Sequence, residues 1–207
     1  MLKSAQAYIF AAVLCFPPVV IAQKDQTSLL ASLVDAAVDR TNYSVSYNGS
    51  YFVIDYPGGD VPSDIGVCTD VIIRSYRALG VDLQELVHLD MKNSFNDYPK
   101  DWGLSHPDSN IDHRRVPNLQ TYFFRHGEVL PVTYQAWDYQ PGDLVTWMLP
   151  GNLPHIGIVV DRVAANGTRP LIVHNVGQGP KLEDALFSYE ITGHYRYTGQ
   201  APVSGAD

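Results

Sequence analysis

The apolar residues of this chain change their period part-way along, from helical spacing to strand spacing, and that change points to the α+β class. In the N-terminal half, Leu29, Leu30, Leu33, Val34, Ala37 and Val38 recur at three- and four-residue steps, which predicts a helix over 27–40. Cys68, Val71, Ile72, Tyr76 and Leu79 repeat the pattern, and Gly80 supplies a stop. Asp82 is placed to cap a further helix bearing Leu83, Leu86, Val87 and Met91. Pro117 and Gly127 bracket a short helix with Leu119, Tyr122 and Phe123 on its inner face. Strand-like runs then follow at 144–149, 156–163, 171–176 and 189–197, rich in β-branched and aromatic residues and separated by Gly, Pro and Asn. Helices first and strands second predict N-terminal helices packed on an antiparallel sheet. Residues 45–56 read as a hairpin or extended arm turning at Asn48-Gly49, and 56–62 as a loop.

The first residues have the pattern of a secretory leader. Lys3 is followed by the uncharged, mostly apolar stretch Ala7 to Ile21, and Val20 and Ala22 are small enough for a cleavage site. The expected organisation is a signal peptide over 1–22 and one domain over 23–207, with a frayed tail from Gln200 and a periplasmic or secreted location. Pro17-Pro18 interrupts the apolar run, which is short of the roughly 20 residues that span a bilayer.

The 207-residue chain carries a formal charge of −8 and has no basic stripe. That balance argues against nucleic acid and against an anionic membrane surface as partners. Of its two cysteines, Cys15 lies in the leader, which leaves Cys68 without an intrachain disulfide partner. A lone thiol in an exported protein is either a reactive group or a buried, inert hydrophobe.

The surroundings of Cys68 favour chemistry. It sits where a Gly- and Pro-rich loop meets a helix, and the free N–H groups and dipole of a helix start favour a thiolate. A thiol nucleophile needs a base and a group to orient that base. His155 opens a strand and shares one face with Gly157, Val159 and Asp161. The next strand offers His174 and Asn175, which face opposite ways, so either one completes a Cys, His, His/Asn triad. A zinc site from His155, His174 and Asp161 is the rival, but no tight ligand pair supports it. Asp112-His113-Arg114-Arg115 reads either as a bidentate carboxylate clamp or as an ion-pair cluster pinning its loop. Sequons at Asn42, Asn48 and Asn166 are short motifs of little weight.

Three blocks resemble the NlpC-type cell-wall peptidases, which are papain-like thiol enzymes. Tyr56-Pro57-Gly58-Gly59 with Gly66-Val67-Cys68-Thr69 is similar to their approach to the nucleophile helix. Pro141-Gly142-Asp143-Leu144-Val145 and His155-Ile156-Gly157-Ile158-Val159 resemble their paired strands, and Ile172-Val173-His174 the strand with the third catalytic residue. Val67 stands where those enzymes carry an Asp before the Cys. Nearly all of the chain after the leader resembles a bacterial domain family of unknown function, number 1287. The marks are Gly66 to Val71, Asn110 to Leu119 and Gly193-His194-Tyr195-Arg196.

The resemblance implies a papain-like fold and a cofactor-free cysteine hydrolase, with catalytic Cys68, His155 and His174 and with Tyr56, Asp70, Arg114, Arg115 and Asn175 as substrate-binding candidates. Its substrate would be a peptidoglycan peptide, cut by an endopeptidase or amidase. Two other readings stand beside it: a binding protein whose thiol is unused, and a thiol acyltransferase or hydrolase acting on another substrate. A toxin reading adds an immunity or inhibitor protein as partner.

Overall fold

A computed structural model describes residues 20–199, with side chains from Thr27 onward. The expected leader and the tail from Gln200 lie outside the described residues, apart from the backbone of 20–22. The first helix, α1, spans Val20–Arg40, beginning before the expected Thr27.

Helix α2 is Cys68–Ala78 and α3 is Leu83–Ser94, with Gly80 in a left-handed conformation between them (φ 79°). Asp82 caps α3 as expected, accepting from the Gln84 N–H at 3.0 Å. Helix α4 is Val116–His126, with Pro117 in its first turn and Gly127 just past its end. The C-terminal half forms a six-stranded sheet in the order β3-β8-β4-β5-β6-β7, antiparallel throughout. Its long strands are β4 (Leu144–Leu149), β5 (Leu153–Val163), β6 (Pro170–His174) and β8 (Glu190–Arg196). Two short edge strands, β3 (Glu128–Val129) and β7 (Lys181–Glu183), join them. The described residues are therefore α+β, with four α-helices and a six-stranded antiparallel sheet.

Alternation along the strands divides the core. Ile156, Ile158 and Val160 of β5 and Val173 of β6 pack with Leu33, Val71, Ile72, Leu119 and Phe123 from the helices. Val145, Trp147, Val159 and Ile172 face the other way, under Tyr139, Ala185 and Leu186. Trp147 satisfies its buried indole N–H on the Leu186 carbonyl at 2.9 Å.

The segment 45–56 is not a hairpin. Ser46–Tyr47 (β1) pairs in parallel with Ile65–Gly66 (β2), in the register Ser46↔Ile65 and Tyr47↔Gly66. The Asn48 side chain takes the Ser50 N–H at 2.9 Å, a local turn that does not fold the chain back on itself. Side chains from distant segments hold residues 54 and 55: Asn110 accepts from the Ile54 N–H and Gln84 donates to the Asp55 carbonyl, both at 2.9 Å.

Candidate functional site

Cys68 is the first residue of α2, and the side chains around it fix its approach. Asp70 reaches back to the Val67 N–H at 2.6 Å, the carboxylate half of a capping box. Gly66 makes room for this: a Cβ there would lie 3.2 Å from the Asp70 Cβ. Arg114 grips Asp70 with Nε at 2.9 Å and Nη2 at 3.0 Å, and neither side chain is more than 3 % exposed. The same guanidinium donates to the carbonyls of Ser50 (3.2 Å) and Asn48 (3.3 Å). Thr69 Oγ1 donates to the Arg114 carbonyl at 3.0 Å. One buried arginine thus ties the first turn of the cysteine helix to the arm that carries Tyr47.

The Cys68 sulfur faces the backbone N–H of Ile156, the peptide unit that joins His155 to its neighbour, and the hydroxyl of Tyr47. The ring of His155 has its own partners. Its Nε2 is 2.9 Å from Nδ1 of His174, and His174 Nε2 is 3.0 Å from Glu183 Oε2. Gly157 is required beside this pair, because a Cβ there would lie 2.7 Å from Ile172 Cγ2 and 3.1 Å from His174 Cβ.

The chain of partners sets the tautomers. A carboxylate only accepts, so His174 Nε2 carries the proton and donates to Glu183. Neutral His174 then presents a bare Nδ1, which accepts from His155 Nε2–H. Neutral His155 is left with a bare Nδ1, the form of imidazole that can take a proton from a thiol.

Burial, not the helix start, decides the resting charge. The Cys68 thiol is pushed up to about 11 because it is desolvated, and the N–H groups of Ile156, Thr69 and Cys68 offset this only in part. The helix start was expected to favour the thiolate. It is outweighed because the residue is only 3 % exposed and Asp70 adds a nearby negative charge. Burial likewise pulls His155 down to about 3, with His174 adding to the effect. It lowers His174 too, against the pull of Glu183. Tyr47 is raised to about 12, by burial first and then by the facing thiol. At rest the Cys68 thiol and the His155 and His174 imidazoles are therefore all neutral.

The other candidates fall in different places. Tyr56 packs edge-on against His88 of α3, ring centroids 4.8 Å apart, and Tyr47 is the tyrosine at the thiol. Asp70 and Arg114 form the ion pair described above. Arg115 donates to Asp112 at 3.2 Å and lies over the Trp102 ring at 4.0 Å. Asn175 is fully buried, and its Oδ1 accepts from the Gly177 N–H rather than meeting His155. Between His174 and Asn175, the His155 ring thus meets His174. Among the described residues, no group of three or more His, Cys, Asp or Glu side chains is arranged to hold a metal ion, and Asp161 is exposed.

Two members of this site, Tyr47 and Glu183, are not marked in the sequence. The Glu183 signal was present only in part, as an acid nine residues after His174 across a Gly-rich turn.

Residues 34–197 match a family described as a domain of unknown function (DUF1287). The chain is similar to Uncharacterized protein YijF of Escherichia coli (strain K12), with 49 % identity over 181 residues and 87 % of each chain covered. The matched span contains Tyr47, Cys68, Arg114, His155, His174 and Glu183, and the chain belongs to the DUF1287 family.

Proposed function

We propose that this protein is an exported, papain-like thiol hydrolase that cleaves an amide bond in peptidoglycan peptides. The observation that carries the reading is the hydrogen-bonded run His155–His174–Glu183, with the Cys68 thiol facing the peptide N–H that joins His155 to Ile156. The substrate class rests on the resemblance of the Cys68, His155 and His174 blocks to those of NlpC-type enzymes.

The chemistry follows from the neutral resting state. Bare Nδ1 of His155 takes the Cys68 proton as the sulfur attacks the carbonyl carbon, so the C–S bond forms and the carbonyl electrons move to oxygen. The N–H groups of Cys68 and Thr69 at the helix start and the Tyr47 hydroxyl, which face the sulfur, supply the donors for the developing oxyanion in this reading. Collapse breaks the C–N bond, and His155 gives its proton to the leaving amine. A water gives a proton to His155 as its oxygen attacks the thioester carbon; the C–S bond breaks, the acid leaves, and His155 returns the proton to the Cys68 sulfur. His174 turns the ring and stabilises it while charged, and Glu183 holds His174.

The nearly complete burial of the thiol favours a second reading, a binding module on the same fold. Turnover of defined muropeptides separates the two. Product formation by the wild type and none by Cys68→Ala supports the hydrolase. Tight binding of the same muropeptides without products supports the binding module.

A further inference from the structure

The groups that face the Cys68 sulfur differ in how firmly they are held. Ile156 belongs to β5, and Thr69 and Asp70 to the first turn of α2. Tyr47 comes instead from the arm 45–56. Its hydroxyl meets the thiol, yet 47 % of the residue is exposed, whereas Cys68 is almost wholly buried. One side of Tyr47 thus meets the sulfur and the other meets solvent.

The arm is lightly held. Strand β1 is two residues long, and past it the Asn48 N–H reaches the Gly66 carbonyl at 3.2 Å. From Gly49 to Ile54, among the described residues, no backbone group bonds to another backbone group. Phe52 and Ile54 are only half-buried, and Tyr51 and Val53 between and beside them are exposed. A segment with little burial and few backbone bonds opens locally at low cost.

The loop before α4 fastens this segment. Asn110 Oδ1 accepts from the Ile54 N–H at 2.9 Å, and Asn110 Nδ2 donates to the Tyr51 hydroxyl at 3.0 Å. That hydroxyl donates in turn to Asp108 at 3.1 Å. Once this outer fastening parts, the inner end keeps its short ladder and the two Arg114 bonds of 3.2 and 3.3 Å. The block that begins at Asn110 therefore grips the arm at two places, through Asn110 and through Arg114.

We propose that residues 47–55 are a lid that holds Tyr47 over the Cys68 thiol, latched by Asn110 and Tyr51, and that this lid opens before a reagent or substrate reaches the sulfur. Closure afterwards returns the Tyr47 hydroxyl to the site. The proposal concerns access to the thiol and stands whether or not the protein is a hydrolase.

The test is the rate of Cys68 alkylation by iodoacetamide in the full chain, with amide hydrogen exchange measured alongside. Tyr51→Phe removes a hydroxyl from an exposed side chain and leaves Ile54 bonded to Asn110. It is expected to raise the alkylation rate on the order of two- to ten-fold, the equilibrium effect of one hydrogen bond. Exchange of the Ile54 amide should rise by the same factor, while exchange of the Ile72 amide in α2 and the thermal melt stay unchanged. Asn110→Ala, which drops both latch bonds, should raise the alkylation rate further. Tyr47→Ala should raise it too, and adding Tyr51→Phe to that variant should then change nothing, because the cap is already gone. Wild-type alkylation rates in both Tyr51→Phe and Asn110→Ala overturn the proposal. So does faster alkylation with equally faster exchange at Ile72, which marks a general loosening, and so does a full Tyr51→Phe effect in the Tyr47→Ala background.

Discussion

Glu183 Oε2 lies 3.0 Å from His174 Nε2, and this contact determines which nitrogens carry protons in both rings of the site. Glu183 is about half exposed, so it adds little to the core. Its replacement by Gln can present an N–H to His174 and reverse the tautomer chain. The expected result is a fall in kcat on the order of ten- to a hundred-fold, by analogy with loss of the carboxylate that orients a metal-bound histidine. KM and the thermal melt should stay near wild type. A variant with unaltered kcat and an unaltered pH profile would remove Glu183 from the mechanism.

Arg114 and Asp70 should behave as a structural pair. Arg114→Ala leaves a buried carboxylate without its partner, which costs roughly 3–5 kcal/mol. Because Arg114 also holds the carbonyls of Asn48 and Ser50, the arm carrying Tyr47 should loosen. Asp70→Asn with Arg114→Met should be less damaging than Arg114→Ala alone. Urea unfolding of the three variants checks this. Equal stability for Arg114→Ala and wild type would contradict the pairing.

The buried thiol should react slowly at neutral pH. With Cys68 pushed up to about 11, alkylation by iodoacetamide should be far slower at pH 7 than that of a small free thiol, and should climb as the pH approaches 11. A rate at pH 7 matching or exceeding the free thiol would show that the thiolate is formed at rest, as the helix start alone would favour.

Buried neutral histidines should make the protein acid-sensitive. His155 and His113 are each pulled down to about 3, chiefly by burial. The unfolded chain binds these protons near pH 6.5 and the folded chain does not. The stabilisation is therefore whole above 6.5 and lost as pH falls towards 3. For one such histidine the loss at pH 5 is about 2 kcal/mol. Denaturant midpoints from pH 7 to pH 4 should fall for wild type and fall less steeply for His155→Gln. Parallel slopes would contradict the assignment.

Much of this architecture could be read from periodicity. The helices starting at Cys68, after Asp82 and at Pro117, and the four long strands, stand within a few residues of their expected places. So does the face shared by His155 and Gly157. What escaped depended on pairing between distant segments. The expected tyrosine was Tyr56, next to Pro57-Gly58-Gly59, yet the parallel register Tyr47↔Gly66 delivers Tyr47 to a point two residues before Cys68. Glu183 arrives on a three-residue edge strand in the register Ile172↔Glu183 and His174↔Lys181, and a strand that short carries no periodic signal. The charge state of Cys68 departs from expectation for a related reason: the helix start is local and visible, while the desolvation comes from the whole core.

The central claim is that Cys68 forms a thioester with its substrate. The direct measurement is the intact mass of the protein, quenched in acid during turnover of a defined muropeptide. Wild type should show a fraction heavier by one acyl fragment, and the fraction should grow in His174→Ala if that change slows hydrolysis of the thioester more than its formation. Cys68→Ala should show no adduct and no product, His155→Ala should show neither, and Asn175→Ala should turn over close to wild type on a peptide amide. Product formation by Cys68→Ala at the wild-type rate would contradict the account outright.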